Sequence, residues 1–240
     1  MPLIDQEFRT KAAREHRGCF GKSSGGYGSL MLAMHYPKLW GGVANHSGDA
    51  YFDFVYRSDW PGVLTHLQRY SDAPRGKSRA TSLRQASGLG EDDGRVERFL
   101  NSVWSRPRGG AERLSGDEMM ALMLLGMAAS YDPDPEAKNG FRLPFDLQSG
   151  QLIPERWRVW LKHDPINQIK RYAPNLKKLR GLFMDCGHRD QFHIHYGSRQ
   201  LSQAMLQADI KHHYEEFDGT HSGIDHRLDV SLPFLAKRLR

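Results

Sequence analysis

The sequence has little of what marks several large classes of protein. It has only two cysteines among its 240 residues, Cys19 and Cys186, too few for a disulfide framework. Both stand in apolar strand-like runs, which predicts buried free thiols in a reducing compartment. No apolar run approaches the roughly 18–20 residues of a membrane span, and no apolar block follows the first charges as in a signal peptide. These absences predict a cytoplasmic protein without a membrane partner.

Signals for nucleic-acid binding are also few. The net charge is +6, and residues 69–113 carry ten Arg or Lys against six acids. No aromatic-interleaved basic run, zinc-finger spacing or recognition-helix pattern accompanies this charge. We therefore expect a solvated basic face and no nucleic-acid partner, with a nucleic-acid binder kept as a competing hypothesis.

A length of 240 residues with 39% hydrophobic and 26% charged residues fits one globular domain.

A glycine-rich turn around a serine is the clearest motif that is present. The stretch GCFGKSSGGYG covers residues 18–28 and contains Gly-Lys-Ser, the end of a phosphate-binding loop. Such a loop needs a further glycine five residues before its Gly-Lys, and that position is His16. The loop would be too short to cradle a phosphate, so this alternative is set aside.

The same stretch completes the Gly-x-Ser-x-Gly pattern of a serine hydrolase, with Ser23 between Gly21 and Gly25. In this nucleophile elbow the serine stands on a strained turn between a strand and a helix. We expect a side chain at either flanking glycine to clash with neighbouring backbone. Gly26 and Gly28 extend the small surface and should let the following helix pack closely.

Strand and helix patterns alternate on both sides of a different central region. Strands are predicted over 16–21, 40–48, 179–187 and 211–221, and helices over 5–15, 24–36, 95–104, 115–131, 156–163, 192–208 and 228–240. This order predicts an α/β fold with a mostly parallel sheet, flanked by helices, that binds ligands at its carboxyl edge. We expect a single domain over 1–240, with a core of about 1–59 and 156–240. The turn-rich region of about 60–155 is predicted to be a helical insertion, or lid.

Two helices of the insertion have distinct patterns. Residues 95–104 show one apolar stripe that ends at Trp104, and Ser115-x-x-Glu118 is a capping box that opens the helix 115–131. That second helix is apolar nearly all round, so we expect burial on most sides. Its methionines are expected to pack in the core, the alternative being an adaptable pocket lining.

A serine nucleophile needs a base, and the base needs an orienting acid, in the chain order Ser, Asp or Glu, His. His221 follows the last predicted strand, and Asp185 and Asp190 follow the apolar strand 179–187. We choose Asp190 because a loop position can turn toward the imidazole, whereas Asp185 still belongs to the strand end. Asp218 is the remaining candidate, and an aspartate three residues from His221 is more typical of a turn.

Metal binding is not indicated. The pairs His193-x-His195 and His212-His213 have no carboxylate or thiolate at motif spacing to complete a ligand set. The chemistry described here needs no metal and no organic cofactor.

Four longer segments together resemble the putative-esterase family of α/β-hydrolases, which includes esterase-D-like, feruloyl-esterase-like and enterochelin-esterase-like enzymes. The segments are GKSSGGYGSL, NHSGDAYFD, DCGHRDQFHIHYG and EEFDGTHSGIDHRLDVSLPFL, and the resemblance covers most of 1–60 and 150–240. It implies that Ser23 is the nucleophile, Asp190 the acid and His221 the base. It also implies cleavage of carboxylic esters or, less often, acyl transfer.

The chain departs from that family before the elbow, where several strands are usual and only about twenty residues stand here. The strand 16–21 would then expose an unpaired edge. One oxyanion donor should be the Ser24 N–H, but the loop that normally supplies the second is missing. We therefore expect an N-terminally incomplete hydrolase: a fragment, a mis-assigned start, or half of an assembly. A missing segment or a second copy would pair with the exposed edge.

The sequence thus predicts a carboxylic ester hydrolase that acts on a small-molecule ester through an acyl-enzyme. Asn45, His46 and Ser47 are predicted to line the substrate pocket, and a plain strand-end loop is weighed equally for them. The alternatives are an acyltransferase and an impaired hydrolase fold that acts as a binding module.

Overall fold

The computed structural model describes residues 2–71, 92–106 and 113–240. Within these ranges the chain divides into two compact units: residues 1–55 with 164–240, and residues 56–163. Most of the basic region predicted over 69–113 lies outside the described residues. No helix in the described ranges is long and apolar enough to cross a bilayer.

The first unit is built on a sheet of four parallel strands in the order β1-β2-β3-β4. The strands are β1 Gly18–Lys22, β2 Gly42–His46, β3 Gly181–Gly187 and β4 His213–Phe217. Its helices are α1 Pro2–Glu7, α2 Ser24–His35, α3 Phe52–Val55, α8 Pro165–Leu176, α9 Ile194–Gln207 and α10 Leu228–Arg238. β3 is buried along its whole length, as expected for a central strand of a parallel sheet with helices on both faces, and its one charged residue, Asp185, is buried with it.

Helices cover both faces of this sheet because strand side chains alternate between its two sides. Val43, Leu182 and Met184 face one side, where they pack in a core with residues of α2, α8 and α9. Ala44 and Phe183 face the other side and pack against Leu235 of α10. The prediction of an α/β fold with a parallel sheet flanked by helices is confirmed.

One carboxylate joins two elements of this unit that are far apart in sequence. Asp164 caps α8 by accepting the N–H of Ile166 at 3.0 Å, and it accepts the N–H of Phe52 at 2.8 Å and that of Tyr51 at 3.3 Å. Pro165 at the first position suits a helix start, because its missing N–H would have no helical partner there. The residue where the chain returns to this unit is therefore fastened to the start of α3.

The second unit has helices α4 Trp60–Leu67, α5 Arg95–Trp104, α6 Gly116–Tyr131 and α7 Pro154–Leu161. Its core is aromatic, and Trp60 packs edge-on against Trp157 with ring centroids 5.2 Å apart. The predicted capping box of α6 is present: Glu118 N–H donates to Ser115 Oγ, and Ser115 N–H donates to the Glu118 carboxylate.

Three helix predictions differ from the structure. The helix expected over 5–15 ends at Glu7. Helix α6 is not buried all round, since one face packs inward while Met119 is 52% exposed. Trp104, placed in the apolar stripe of α5, is 76% exposed. An apolar side chain near a helix end can point to water when the neighbouring positions already fill the core, and a linear pattern does not reveal this.

Candidate active site

Ser23 stands in an unusual backbone conformation between β1 and α2. Its φ of 57° and ψ of −129° lie outside the regions that a serine normally adopts. The conformation is fixed from both sides: Ser23 N–H donates to the His46 carbonyl at 2.9 Å, and Ser23 C=O accepts from Tyr27 N–H at 2.9 Å. Strained residues held in this way cluster at functional sites.

The glycines around Ser23 have unequal roles. A Cβ on Gly21 would lie 2.4 Å from the carbonyl carbon and oxygen of Gly25, and one on Gly26 would lie 2.6 Å from Asn45 Oδ1. A Cβ on Gly25 or Gly28 would meet no atom of residues 2–71, 92–106 or 113–240 within 4 Å. The prediction that both flanking glycines are required by contact is therefore wrong for Gly25, because no atom of the described residues lies close to that side of the turn.

His221 and Asp190 form a buried pair beyond the ends of β4 and β3. His221 Nδ1 donates to Asp190 Oδ2 at 2.7 Å; a carboxylate only accepts, so the proton belongs on Nδ1 and leaves Nε2 free to act as a base. The other carboxylate oxygen of Asp190 accepts from Phe192 N–H at 2.9 Å. His221 N–H donates to Gln191 Oε1 at 3.0 Å, so the acid loop holds both the ring and the backbone of this histidine.

A cysteine also approaches Asp190. Cys186 Sγ donates to Asp190 Oδ2 at 3.7 Å, the same oxygen that accepts from His221. Burial raises the pKa of the Cys186 thiol to about 12, so it stays protonated and able to donate. Both cysteines are free thiols, with Cys186 buried and Cys19 only partly buried.

Ser23 and the His221–Asp190 pair share the carboxyl edge of the sheet because each follows the end of a parallel strand. Within the described residues Ser23 Oγ makes no hydrogen bond to His221. Strand spacing of about 4.8 Å separates β1 from β4 by about 14 Å across the sheet. A triad would require the loop that carries His221 to extend across the sheet toward Ser23; its hydrogen bond to Asp190 fixes it to the loop that follows β3.

Ser24 is the first residue of α2, so its N–H is one of the four that a helix leaves without an internal partner. Its hydroxyl donates to Asp49 Oδ2 at 3.5 Å. The N–H is therefore available at the position where an oxyanion donor is predicted.

Asn45, His46 and Ser47 lie at the end of β2 with little or no exposure. His46 Nδ1 donates to Asp185 Oδ1 at 2.7 Å, and its Nε2 accepts from Ser231 Oγ at 2.8 Å. With both ring nitrogens engaged by protein groups, His46 fits the strand-end alternative better than substrate contact.

Ser231, His46 and Asp185 thus form a second serine–histidine–aspartate chain, which the sequence pattern does not predict. Ser231 has 0% exposure inside the first unit, so no substrate can reach its hydroxyl. Asp185, one of the sequence's candidate acids, lies in β3, and Arg227 Nε donates to its second oxygen at 2.8 Å. The remaining acid candidate, Asp218, is exposed and accepts from Arg189 Nη2 at 2.6 Å.

The histidines of the pairs His193-x-His195 and His212-His213 have other surroundings in the structure. His212 is bonded to Ser202 and His213 to Glu215, while His195 is buried, which lowers its pKa. In the part of the chain described, no group of three His, Cys, Asp or Glu side chains is arranged to hold a metal ion.

A parallel sheet with a serine in a tight turn after one strand, and an acid and a histidine after later strands, is the arrangement of the α/β-hydrolase class. The family model described as "Putative esterase" matches residues 1–230. The chain belongs to this family. A search of curated proteins gave no match.

Several solved structures are similar to the chain. A ferulic acid esterase is 16% identical with a TM-score of 0.48, covering 100% of this chain and 58% of its own. An S-formylglutathione hydrolase from Staphylococcus aureus is 11% identical with a TM-score of 0.47, covering 98% and 57%. A fluorophosphonate-binding serine hydrolase from the same organism is 12% identical with a TM-score of 0.46, covering 98% and 60%. The chain thus spans about three fifths of the length of these proteins.

Proposed function

We propose that this protein is a serine hydrolase that cleaves carboxylic esters through an acyl-enzyme. The proposal is carried by one observation: the buried His221–Asp190 hydrogen bond beyond the ends of β4 and β3, on the edge where Ser23 occupies its strained turn. Membership of the putative esterase family supports it.

In the first step Ser23 Oγ bonds to the ester carbonyl carbon while its proton passes to His221 Nε2. Asp190 keeps the imidazole in the correct tautomer and stabilises the imidazolium. The Ser24 N–H donates to the carbonyl oxygen as negative charge develops on it. The carbon–oxygen bond to the alcohol then breaks, and the alcohol leaves with the proton from Nε2.

In the second step water attacks the acyl-enzyme, giving its proton to His221 Nε2, and the acid is released when that proton returns to Ser23 Oγ. Attack by an alcohol instead of water would make the same site an acyltransferase. No residue in this scheme needs a metal or an organic cofactor.

Reaction with a fluorophosphonate probe tests the assignment of the nucleophile. We expect one covalent label on Ser23, lost in Ser23→Ala and strongly reduced in His221→Ala. Ser130→Ala and His35→Ala are matched controls: both residues are exposed, and they stand near the end of α6 and at the last residue of α2 respectively. Labelling that survives Ser23→Ala would refute the proposal.

The choice of acid is tested separately with a p-nitrophenyl ester. Asp190→Asn should lower kcat by several orders of magnitude, since the equivalent change in a well-studied triad costs about 10⁴-fold. Asp218→Asn removes a similar group whose side chain is 81% exposed and should leave kcat within about twofold of wild type. Equal losses in the two variants would contradict the role given to Asp190.

A non-catalytic binding module is the second candidate, favoured by the missing hydrogen bond between Ser23 Oγ and His221. It predicts a folded protein that neither labels nor hydrolyses esters. Steep salt-dependent affinity for DNA or RNA without labelling would point instead to nucleic-acid binding. Pairing of another segment or copy with β1 also stays a prediction, and so do substrate contacts of Asn45 and Ser47.

A further inference from the structure

A row of polar side chains crosses the sheet near its carboxyl edge: it contains the last residues of β1 and β2 and residues two positions before the ends of β3 and β4. The strand register pairs Lys22 of β1 with His46 of β2, His46 with Asp185 of β3, and Asp185 with Glu215 of β4. Ser23 follows directly after this row. The row therefore lies beneath the residues that the proposed mechanism uses.

Three members of the row are joined through an arginine from outside the sheet. Asp185 accepts from His46 Nδ1 at 2.7 Å and from Arg227 Nε at 2.8 Å. Arg227 Nη2 also donates to Glu215. Asp185 is 1% exposed, so its charge needs the arginine nearby. Ser231 of α10 completes the set by donating to His46 Nε2 at 2.8 Å.

One end of this network holds the turn of the serine. The carbonyl of His46 accepts the N–H of Ser23 at 2.9 Å, and the carbonyl of Asp185 accepts the N–H of Ser47 at 2.8 Å. The side chain of His46 is locked at both ring nitrogens. The backbone that sets the position of Ser23 is thereby tied to Asp185 and to α10.

The other end holds the loop that carries His221. This loop leaves β4 after Phe217 and returns at the short 3₁₀ turn Asp225–Arg227. The Arg227 guanidinium lies 4.7 Å from the centre of the Phe217 ring and donates to Glu215. The Arg227 guanidinium therefore joins the end of the loop to β4, where the loop begins, and to Asp185 of β3.

We propose that His46, Asp185 and Arg227 are positioning residues that keep the serine turn and the histidine loop in a fixed position relative to each other. The inference rests on the proposed function, in which Ser23 and His221 act together. None of the three touches the substrate in this scheme. Their effect is on the distance and orientation between nucleophile and base, to which reaction rates are very sensitive.

Arg227→Gln is the central variant, and Arg199→Gln is its matched control. Arg199 also forms a bidentate ion pair with a glutamate of β4: its Nε and Nη2 donate to the two carboxylate oxygens of Glu216 at 2.6 and 2.8 Å. It contacts neither Asp185 nor the base of the histidine loop. We expect Arg227→Gln to lower kcat and the labelling rate of Ser23 at least tenfold with KM within twofold, and Arg199→Gln to change each by less than twofold.

Loss of Arg227 leaves the Asp185 charge buried without its cation, so the single variant can fail to fold. The double variant Asp185→Asn, Arg227→Gln removes both charges and keeps neutral hydrogen-bonding groups. It should fold and still lose kcat at least tenfold. A double variant, or a folded single variant, that keeps kcat and labelling within twofold of wild type overturns the inference.

Amide hydrogen exchange provides a readout that does not depend on activity. Relative to the amide of Leu182 in the central strand, the amides of Ser23 and His221 should exchange at least tenfold faster in the Arg227 variants than in wild type. Equal changes at all three amides overturn the inference. If Ser23 of the wild-type protein takes no label, the proposed function fails. The hydrogen-exchange rates of the Ser23 and His221 amides then decide by themselves whether the network holds the serine turn and the histidine loop.

Discussion

Gly21 and Gly25 provide a paired test of how the serine turn is packed. They stand two residues before and two residues after Ser23, so Gly21→Ala and Gly25→Ala add the same methyl group on opposite sides of it. A Cβ on Gly21 lies 2.4 Å from the carbonyl of Gly25, whereas a Cβ on Gly25 has no neighbour within 4 Å in the part of the chain that the structure describes. Neither glycine has a positive φ, so backbone strain does not separate the two changes.

The size of the effect follows from the contact. Ordinary contact begins at 3.4 Å, so Gly21→Ala requires 3.4 − 2.4 = 1.0 Å of extra separation between β1 and α2. The obstructing atoms are main-chain atoms, and no side-chain rotation can relieve them. Overpacking of this kind costs about 1–3 kcal/mol of folding free energy. A displacement of about 1 Å at a reacting group costs about 100-fold in rate.

Gly25→Ala should behave in the opposite way. Gly25 lies in the first turn of α2, where replacing glycine by alanine stabilises the helix by up to about 1 kcal/mol. We expect urea unfolding to show Gly21→Ala less stable and Gly25→Ala equal to or slightly more stable than wild type. The labelling rate of Ser23 should fall about 100-fold in the first variant and stay within threefold in the second. Similar stability and labelling in both variants would refute the packing argument.

Two further predictions concern stability. Asp164→Ala should destabilise the fold by about 2–4 kcal/mol, since it removes a helix cap and the acceptor of the buried Phe52 N–H. Asp164→Asn keeps only one of the two accepting oxygens and turns an NH₂ donor toward the other N–H groups, so it should cost about 1–2 kcal/mol, less than Asp164→Ala; equal melting curves for the two variants would contradict this. The hydrogen bonds from Arg106 hold the pKa of Glu118 down at about 2, so the carboxylate stabilises the fold at neutral pH and loses that effect as pH falls from about 4.5 toward 2. Glu118→Gln should therefore be less stable than wild type at pH 7, by about 1 kcal/mol after solvent screening, and equally stable near pH 2; a difference in unfolding free energy that does not change with pH would refute this.

The sequence was most informative where local chemistry alone decides the structure. Ser23 lies between β1 and α2 as expected, and the cap formed by Ser115 and Glu118 is present, because each depends on residues only a few positions apart. Helix α8 was not predicted, although Asp164 and Pro165 at its start are visible start signals; its polar composition and the internal Pro174 weaken the helical pattern.

Features that depend on strand register could not be predicted from the sequence alone. The link between His46 and Asp185 exists because these residues are directly paired across β2 and β3, which no local pattern reveals. The lack of close neighbours beside Gly25 among the described residues is likewise a property of the folded protein, which the sequence pattern does not show. The pattern Gly-x-Ser-x-Gly treats its two glycines alike, and only the packing of β1 against α2 distinguishes them.

The hydrogen bonds that Asp164 accepts from Tyr51 and Phe52 bear on how much the length of the segment between Val55 and Asp164 can change. The polypeptide departs after Val55 and comes back at Asp164, and the hydrogen bonds to Tyr51 and Phe52 keep departure and return joined within the first unit. A flexible loop costs only about 0.6 kcal/mol more for each doubling of its length. Segments of quite different length could thus be grafted between these two points, giving new recognition surfaces while the four strands and their serine turn stay as they are.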